Sequence, residues 1–495
     1  WRSSARSACD NVTRQTGRAV STLNPTVPRR RSSPSMTLVR RIHHVRLSTL
    51  YLCSNLFFAA VSAIAWAVSR LEYFAADRRV LSPDVFGDVS NLSMVLLGSL
   101  VVPTLIPAGI GFRLLPHSVG LSELKLPRLA TLSWLLHLAG GCSILWAFVF
   151  GGLEPAWSVA VADPTQYASV SSVFLGGLFL AGLAVMLVGA VLLATVHHRS
   201  RGEVTPFVRG LALASWLLEV AMPVLLCALT LAWLERTFAL GMFDPRRGGN
   251  ATLLPLLTAL VSSPIRAAAL LPVLGLAAGV LDAERTMPIA GRRAFNRYMT
   301  AAALLGVLAV DGGVWFQEVY PVVAFEGAFA QALLTVVVLT LVTLLVRTSW
   351  VARAPLGPAQ VYVGLALALV VVFMPIRLFL DTAPASLWSA SYIGQASDQA
   401  LWVWNVLLVA IGGLHAVKRV SQTPRRAFSL ICAAVVAAGM VMTFTPMLVM
   451  GSAGLHMELA VYPVEHLPFQ VLMTYGGALL SLGLAAASFD VALST

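Results

Sequence analysis

The chain has 495 residues, of which 58% are apolar and only 11% charged, a charged share under half the roughly 25% of soluble domains. These proportions exclude an ordinary soluble enzyme, and they exclude intrinsic disorder as well, since disordered chains are poor in apolar residues. The net charge of +12 does not point to nucleic acid, because the basic residues gather in one terminal segment and in short loops between apolar runs.

Residues 1–46 come first. They carry ten Arg against a single acid, Asp10, and are rich in Ser and Thr, the bias of a mitochondrial presequence rather than of a secretory signal. No apolar core precedes Leu47. The segment reads as a targeting or matrix-facing tail; a basic tail or translated upstream sequence ahead of Met36 is the other reading.

From 47 to 491 the sequence predicts one membrane domain. Apolar runs near 47–69, 90–115, 130–153, 168–196, 208–234, 252–281, 298–317, 323–346, 358–380, 395–417, 427–450 and 467–490 are each long enough to cross a hydrocarbon layer about 30 Å thick. The sixth and seventh are the least clean. The loops are short, so the expected fold is all-α, a polytopic membrane protein of about twelve transmembrane helices with no soluble domain.

Loops after the even-numbered spans hold most of the Arg and Lys, among them Arg113, Lys125, Arg199, Arg292, Arg293, Arg353, Lys418 and Arg425. Opposite loops hold most of the acids, including Asp84, Glu154, Asp244, Asp381 and Glu465. By the positive-inside rule both termini face the basic side, the matrix in a mitochondrion. No internal repeat is visible, so the inverted-repeat mark of many secondary transporters is missing. Five scattered cysteines without CxxC spacing suggest neither a disulfide framework nor a zinc site.

Local strings carry a resemblance. TLYL at 49–52 with SRLEY at 69–73, the stretch GFRLLPHSVGLSELKLPRLATLSWLL at 111–136, GGLEPAWSV at 151–159, MFDPRRGG at 242–249, and MTFTPMLVMGSAGL at 442–455 followed by Tyr462-Pro463 resemble, in order and spacing, the catalytic subunit of heme-copper oxidases, cytochrome c oxidase subunit I. The resemblance covers about 45 to 490 and implies that family's helical bundle.

That family holds two hemes and a copper through six histidines, imidazole being suited to both metals. On the resemblance those positions fall at or next to Ser93 in helix 2, at Ser263 in helix 6, at Gly312 and Gly313 in helix 7, and at Asn405 and Leu407 in helix 10. The family's proton-shuttling Glu and cross-linked Tyr fall at Ile265 and Ala267, and its propionate-holding Arg pair at about Met457 and Glu458. No His occurs from 199 to 414, so a shift of register does not restore the ligands. Glu123 and Arg70 stand where the family has a channel-mouth acid and a heme-contacting Arg, but Phe112 and Ala130 replace the polar residues of that channel and Val342 a lysine. Arg70 and Glu72 read as interfacial charges at a helix end.

Among the remaining His, a heme between His137 and His415 is conceivable, while His197 and His198, about 100° apart on a helix, form an interfacial anchor rather than a facial metal pair. Charges within spans carry a default suspicion of function: Glu219, Arg266, Asp311 and Asp398. Arg266 and Asp311, on helices 6 and 7, are a candidate buried pair at the place of the family's copper. The sequence thus predicts a chain without catalytic, cofactor or metal residues, no enzyme in its own right, with bound lipid. Its expected task is that of a structural subunit among other respiratory-chain membrane subunits of the mitochondrial inner membrane. A transporter or proton conductor reusing the vacated cavity, or a residual heme- or quinone-binding subunit, are the alternatives.

Overall fold

The computed structural model describes residues 43–74, 80–151, 168–198, 204–281, 289–310, 321–352, 357–381, 391–418, 423–456 and 462–493. The basic N-terminal segment and the positions Asp311, Gly312, Gly313, Met457 and Glu458 lie outside them. Among the described residues, eleven helices are long and apolar enough to cross a membrane: α1 (His44–Phe74), α2 (Val85–Ser118), α3 (Pro127–Phe150), α4 (Ser172–His197), α5 (Pro206–Phe238), α6 (Leu253–Val280), α8 (Val322–Trp350), α9 (Pro358–Asp381), α10 (Tyr392–Val417), α11 (Arg426–Ser452) and α12 (Val464–Val491).

The helix left over is α7 (Ile289–Leu308). It starts before the apolar run expected at 298–317 and takes in Arg292, Arg293 and Arg297, and these three charges leave it less apolar than the other eleven. It nonetheless packs against both α6 and α8 and completes the twelve. Neighbours in sequence are neighbours in space: α3 lies on α4, α4 on α5, α5 on α6, α9 on α10 and α11 on α12, while α1 touches α12 to close the bundle.

Helices solve the backbone problem of a lipid solvent by satisfying every N–H and C=O internally, and Ser and Thr side chains inside the spans do likewise. Thr104, Thr195, Ser215 and Thr443 each donate to the carbonyl four residues earlier, at 2.6, 2.8, 2.8 and 2.8 Å. α5 opens on Pro206 at its first position with Thr205 Oγ1 accepting from Val208 N, the usual division of labour at a helix start. Large apolar side chains face outward, Trp350, Phe325 and Val322 of α8 being 83%, 74% and 69% exposed, which suits a lipid-facing wall.

Without a hydrophobic drive between helices in lipid, contact rests on close approach of small residues. A Cβ placed on Gly140 of α3 would sit 2.8 Å from the Gly177 carbonyl of α4, and one on Gly306 of α7 would meet the Ala267 Cβ of α6. The small residues at 267 and 306 therefore serve packing.

Two helices are irregular. α2 contains π-helical turns at Leu96–Val101 and Leu105–Gly111, flanking Pro103 and containing Pro107, each of which lacks the N–H that an unbroken ladder needs. α10 contains a third at Gln399–Trp404. The first follows Ser93 closely, and the last ends immediately before Asn405.

Candidate functional site

The opening turns of α10 knit two polar networks into the bundle. In the first, Arg70 near the end of α1 donates from Nε to Thr474 Oγ1 (3.0 Å) and from Nη2 to the backbone oxygen (3.0 Å) and Oε1 (2.7 Å) of Gln470 on α12. Its guanidinium also lies 4.1 Å from the Tyr73 ring centroid. Gln470 Nε2 in turn donates to Tyr392 Oη at the start of α10 (2.6 Å), and Tyr462 Oη donates to the Tyr73 carbonyl (2.6 Å). Glu72 accepts from the backbone N–H of Val80 and Leu81 at 3.0 and 2.7 Å.

Both charges are buried, Arg70 at 4% and Glu72 at 1% exposure, so at this helix end they are held by protein partners rather than open to solvent. Sequence position at a helix end cannot reveal that residues of α10 and α12, hundreds of positions away, fold over Arg70. Arg70→Ala is expected to lower stability in detergent by about 3 kcal/mol, because hydrogen bonds from a charged donor contribute roughly 1.5–3 kcal/mol and their acceptors stay buried. Thermal unfolding measures it, and a loss under about 0.5 kcal/mol, the scale of ordinary surface substitutions, would contradict this account of the site.

The second network centres on Arg377 of α9, which sequence reading passed over. It grips Asp381 through two contacts, Nη2 to Oδ1 at 3.0 Å and Nε to Oδ2 at 3.2 Å, and reaches Asp398 of α10 from Nη1 at 3.2 Å. Trp402 Nε1 donates to the same Asp398 oxygen at 3.2 Å. Asp398, expected only as an unassigned intramembrane charge, is thus one side of an ion pair. An Arg one turn before the end of an apolar run signals snorkelling in sequence; the signal that distinguishes this one is the acid at i+4, Asp381.

The fixed indole of Trp402 forms one wall of a cleft shared with α6, α7 and α8 and lined also by Ser263, Arg266, Gln331 and Leu334. This is where the sequence resemblance placed copper. Arg266 lies there as expected, while its candidate partner Asp311 is outside the described residues, so that pairing stays a proposal.

The other expected ligand positions have ordinary protein neighbours. Ser93 is buried, with its Oγ 3.1 Å from Ser62 Oγ of α1 and its carbonyl accepting from Ser62 at 2.9 Å. Leu407 packs against the apolar cluster containing Phe58, Leu92 and Leu96. Asn405 is fully buried, and neither amide atom has a hydrogen-bond partner among the described residues, so it asks for a small polar partner. Hydroxyl, amide and leucine side chains lack the imidazole that holds heme iron or copper. The described residues at these places therefore do not fit such a group held as the resembled family holds it, and no group of three or more His, Cys, Asp or Glu placed to hold a metal occurs among the described residues.

His137 and His415 have separate surroundings. His137 of α3 sits fully buried against the Tyr51 and Phe58 rings of α1, at 5.3 and 5.6 Å between centroids; His415 of α10 stacks on Tyr362 of α9 at 5.6 Å. Glu219 of α5 points at α4, its Oε1 lying 2.8 Å from where a Cβ on Gly189 would stand. In the last turn of α5, Glu235 accepts from the N–H of Gly241 and Met242, and in the loop that follows Gly241 and Gly248 take positive φ of 71° and 84°. The MFDPRRGG string thereby forms a tight loop.

A solved structure with this architecture is that of a heme-copper terminal oxidase dimer determined by cryo-electron microscopy. It aligns with a TM-score of 0.72 at 13% identity, covering 91% of this chain and 84% of that one. The class is therefore an all-helical membrane protein with the heme-copper oxidase subunit I-like fold. The family model described as cytochrome c and quinol oxidase polypeptide I matches residues 46–479, and the chain belongs to that family. Cytochrome c oxidase subunit 1 of Thermostichus vulcanus is 23% identical over 458 residues, 90% of this chain and 82% of the relative. The subunit of the same name from Pecten maximus is 29% identical over 293 residues, 56% of this chain and 60% of the relative; that of Bacillus subtilis is 25% identical over 309 residues, 60% and 48%.

This membership overturns one expectation. The sequence predicted no enzyme, but the family and the relatives named are oxidase polypeptides, so the chain stands among oxidase subunits. The prediction rested on ligand positions alone, and a missing imidazole at an aligned position says nothing of what the rest of an oxidase polypeptide contributes.

Proposed function

We propose that this chain works as a membrane subunit that builds the framework of a respiratory-chain oxidase assembly or supercomplex in the mitochondrial inner membrane, with both termini on the matrix side. Membership in a family of oxidase polypeptides along 46–479 is the observation that carries this reading. The large apolar side chains exposed along α8 offer a surface for lipid and for neighbouring membrane subunits, and the buried networks at Arg70 and Arg377 give the bundle a fixed shape against which neighbours dock. The Arg- and Ser-rich composition of 1–46 and the basic loops after even-numbered spans support the compartment and the orientation.

Disruption of the gene is the test. The proposal expects less assembled oxidase on a native gel and slower cyanide-sensitive oxygen consumption, both restored by the full-length chain. Unchanged assembly and respiration would overturn it.

A further inference from the structure

We propose that the Glu219 carboxyl of α5 is the docking point for a transmembrane helix of a neighbouring subunit, one that brings a hydrogen-bond-donating side chain to the same depth; this rests on the assembly function proposed above. Glu219 lies opposite Gly189 of α4. Gly189 stands eight residues before His197, the last residue of α4, which is about 12 Å along the axis at 1.5 Å per residue. His198, Arg199 and Arg201 follow at once and mark that end as the membrane boundary. Half the thickness of a hydrocarbon layer is about 15 Å, so the carboxyl stands near the middle of the membrane. An ionisable group at that depth marks a functional contact, and this one does not reach for the helix end, because its Oε1 is aimed across at α4.

The donor has to come from another molecule. Oε1 is buried and accepts no hydrogen bond among the described residues, and a carboxyl left without a donor in an apolar medium is costly. Yet the residue as a whole is only part-buried, and its neighbours Trp216 and Val220 are 54% and 61% exposed, so the carboxyl sits at the outer wall of the bundle. Lipid tails carry no donors, and water is absent at this depth. Hydrogen bonds between helices are what binds polar side chains to one another in lipid.

The surface beside Glu219 suits a helix. Trp216, Val220, Pro223 and Cys227 are all exposed, and their spacing of four, three and four keeps them on one face of α5. Together they form an apolar ridge about 16 Å long at 1.5 Å per residue. One end of it is steadied by His197, whose ring centroid lies 6.1 Å from that of Trp216. A helix laid along the ridge meets Glu219 on its flank, so apolar packing and a single polar contact act together. The occupant is therefore an apolar transmembrane segment with one donor side chain.

The test places the photo-activated cross-linker p-benzoylphenylalanine at position 220 of the full-length chain, in the assembly purified from its native membranes, and maps the adduct by mass spectrometry. The proposal expects one adduct, to an apolar segment of another subunit with a donor side chain within a turn of the attachment point. Adding Glu219→Leu should lower the yield at least tenfold, with Glu219→Met as the second apolar variant should the first not fold. Glu219→Gln keeps an acceptor oxygen in place and should retain more than half. Thermal unfolding checks the fold of each. An adduct to lipid alone or to a second copy of this chain, an unchanged yield in a folded apolar variant, or a Glu219→Gln yield as low as that of the apolar variants would each overturn the proposal. A chain that carries no other subunit overturns the assembly function together with it; an intact assembly whose adduct ignores the loss of the carboxyl overturns the docking point alone.

Discussion

Arg377→Met is expected to lower the unfolding free energy by about 3–5 kcal/mol, the scale for removing one partner of a buried ion pair. The side chain of Arg377 is 5% exposed and that of Asp381 9%, while Asp398 is 36% exposed. Removing the cation takes both of its contacts from the buried Asp381 carboxylate and frees Asp398 from α9, so the first turns of α10 loosen together with Trp402. The same principle supplies the control. Replacing charge and countercharge together, as in Arg377→Met with Asp381→Leu and Asp398→Asn, removes the stranded carboxylates and keeps an acceptor for the indole N–H, and should recover most of the loss. Denaturation in detergent reads both, and a single variant within about 1 kcal/mol of the parent would mean that the pair behaves like an exposed one.

Gly439→Leu is expected to be comparably severe for a different reason. A Cβ at 439 on α11 would stand 2.6 Å from the Leu480 amide nitrogen and 2.8 Å from the Gly476 carbonyl oxygen of α12, and one at Gly476 would stand 2.7 Å from the Thr443 amide nitrogen. The obstructing atoms are backbone, so no rotamer change relieves the clash; the two helices must separate along the crossing. Overpacking a close contact costs about 1–3 kcal/mol and sometimes more, and here a backbone contact of α11 with α12 is at stake. Gly364→Leu, where nothing lies within 4 Å of the added Cβ, should remain within about 0.5 kcal/mol of the parent. Equal stability of the 439 and 364 variants would show that close glycine approach does not hold α11 to α12.

The helices were legible from sequence because length of apolar run is a direct physical requirement of the bilayer. The exception is instructive. α7 begins with Arg292, Arg293 and Arg297, so hydropathy placed its run too late, and only packing against α6 and α8 shows where the helix stands. The polar networks were less legible. Arg70 and Arg377 sit at helix ends, where an Arg ordinarily reaches for water; burial came from Gln470, Tyr392 and Asp398, far away in sequence, and no local pattern encodes those partners. At the cleft, Arg266 was visible as an intramembrane charge, but Gln331 was not, since a lone Gln in an apolar run has no period or spacing to mark it. The expectation of no enzyme failed because it reasoned from six positions, while membership rests on 46–479.

The central claim is that this oxidase-family chain is a subunit of a respiratory assembly. Affinity purification of the tagged full-length chain from gently solubilised membranes of its native cells, with quantitative mass spectrometry of the single band on a native gel, tests it most directly. The account predicts other respiratory-chain membrane subunits in fixed stoichiometry with the chain; a chain that migrates alone, at its own mass plus detergent, would contradict it.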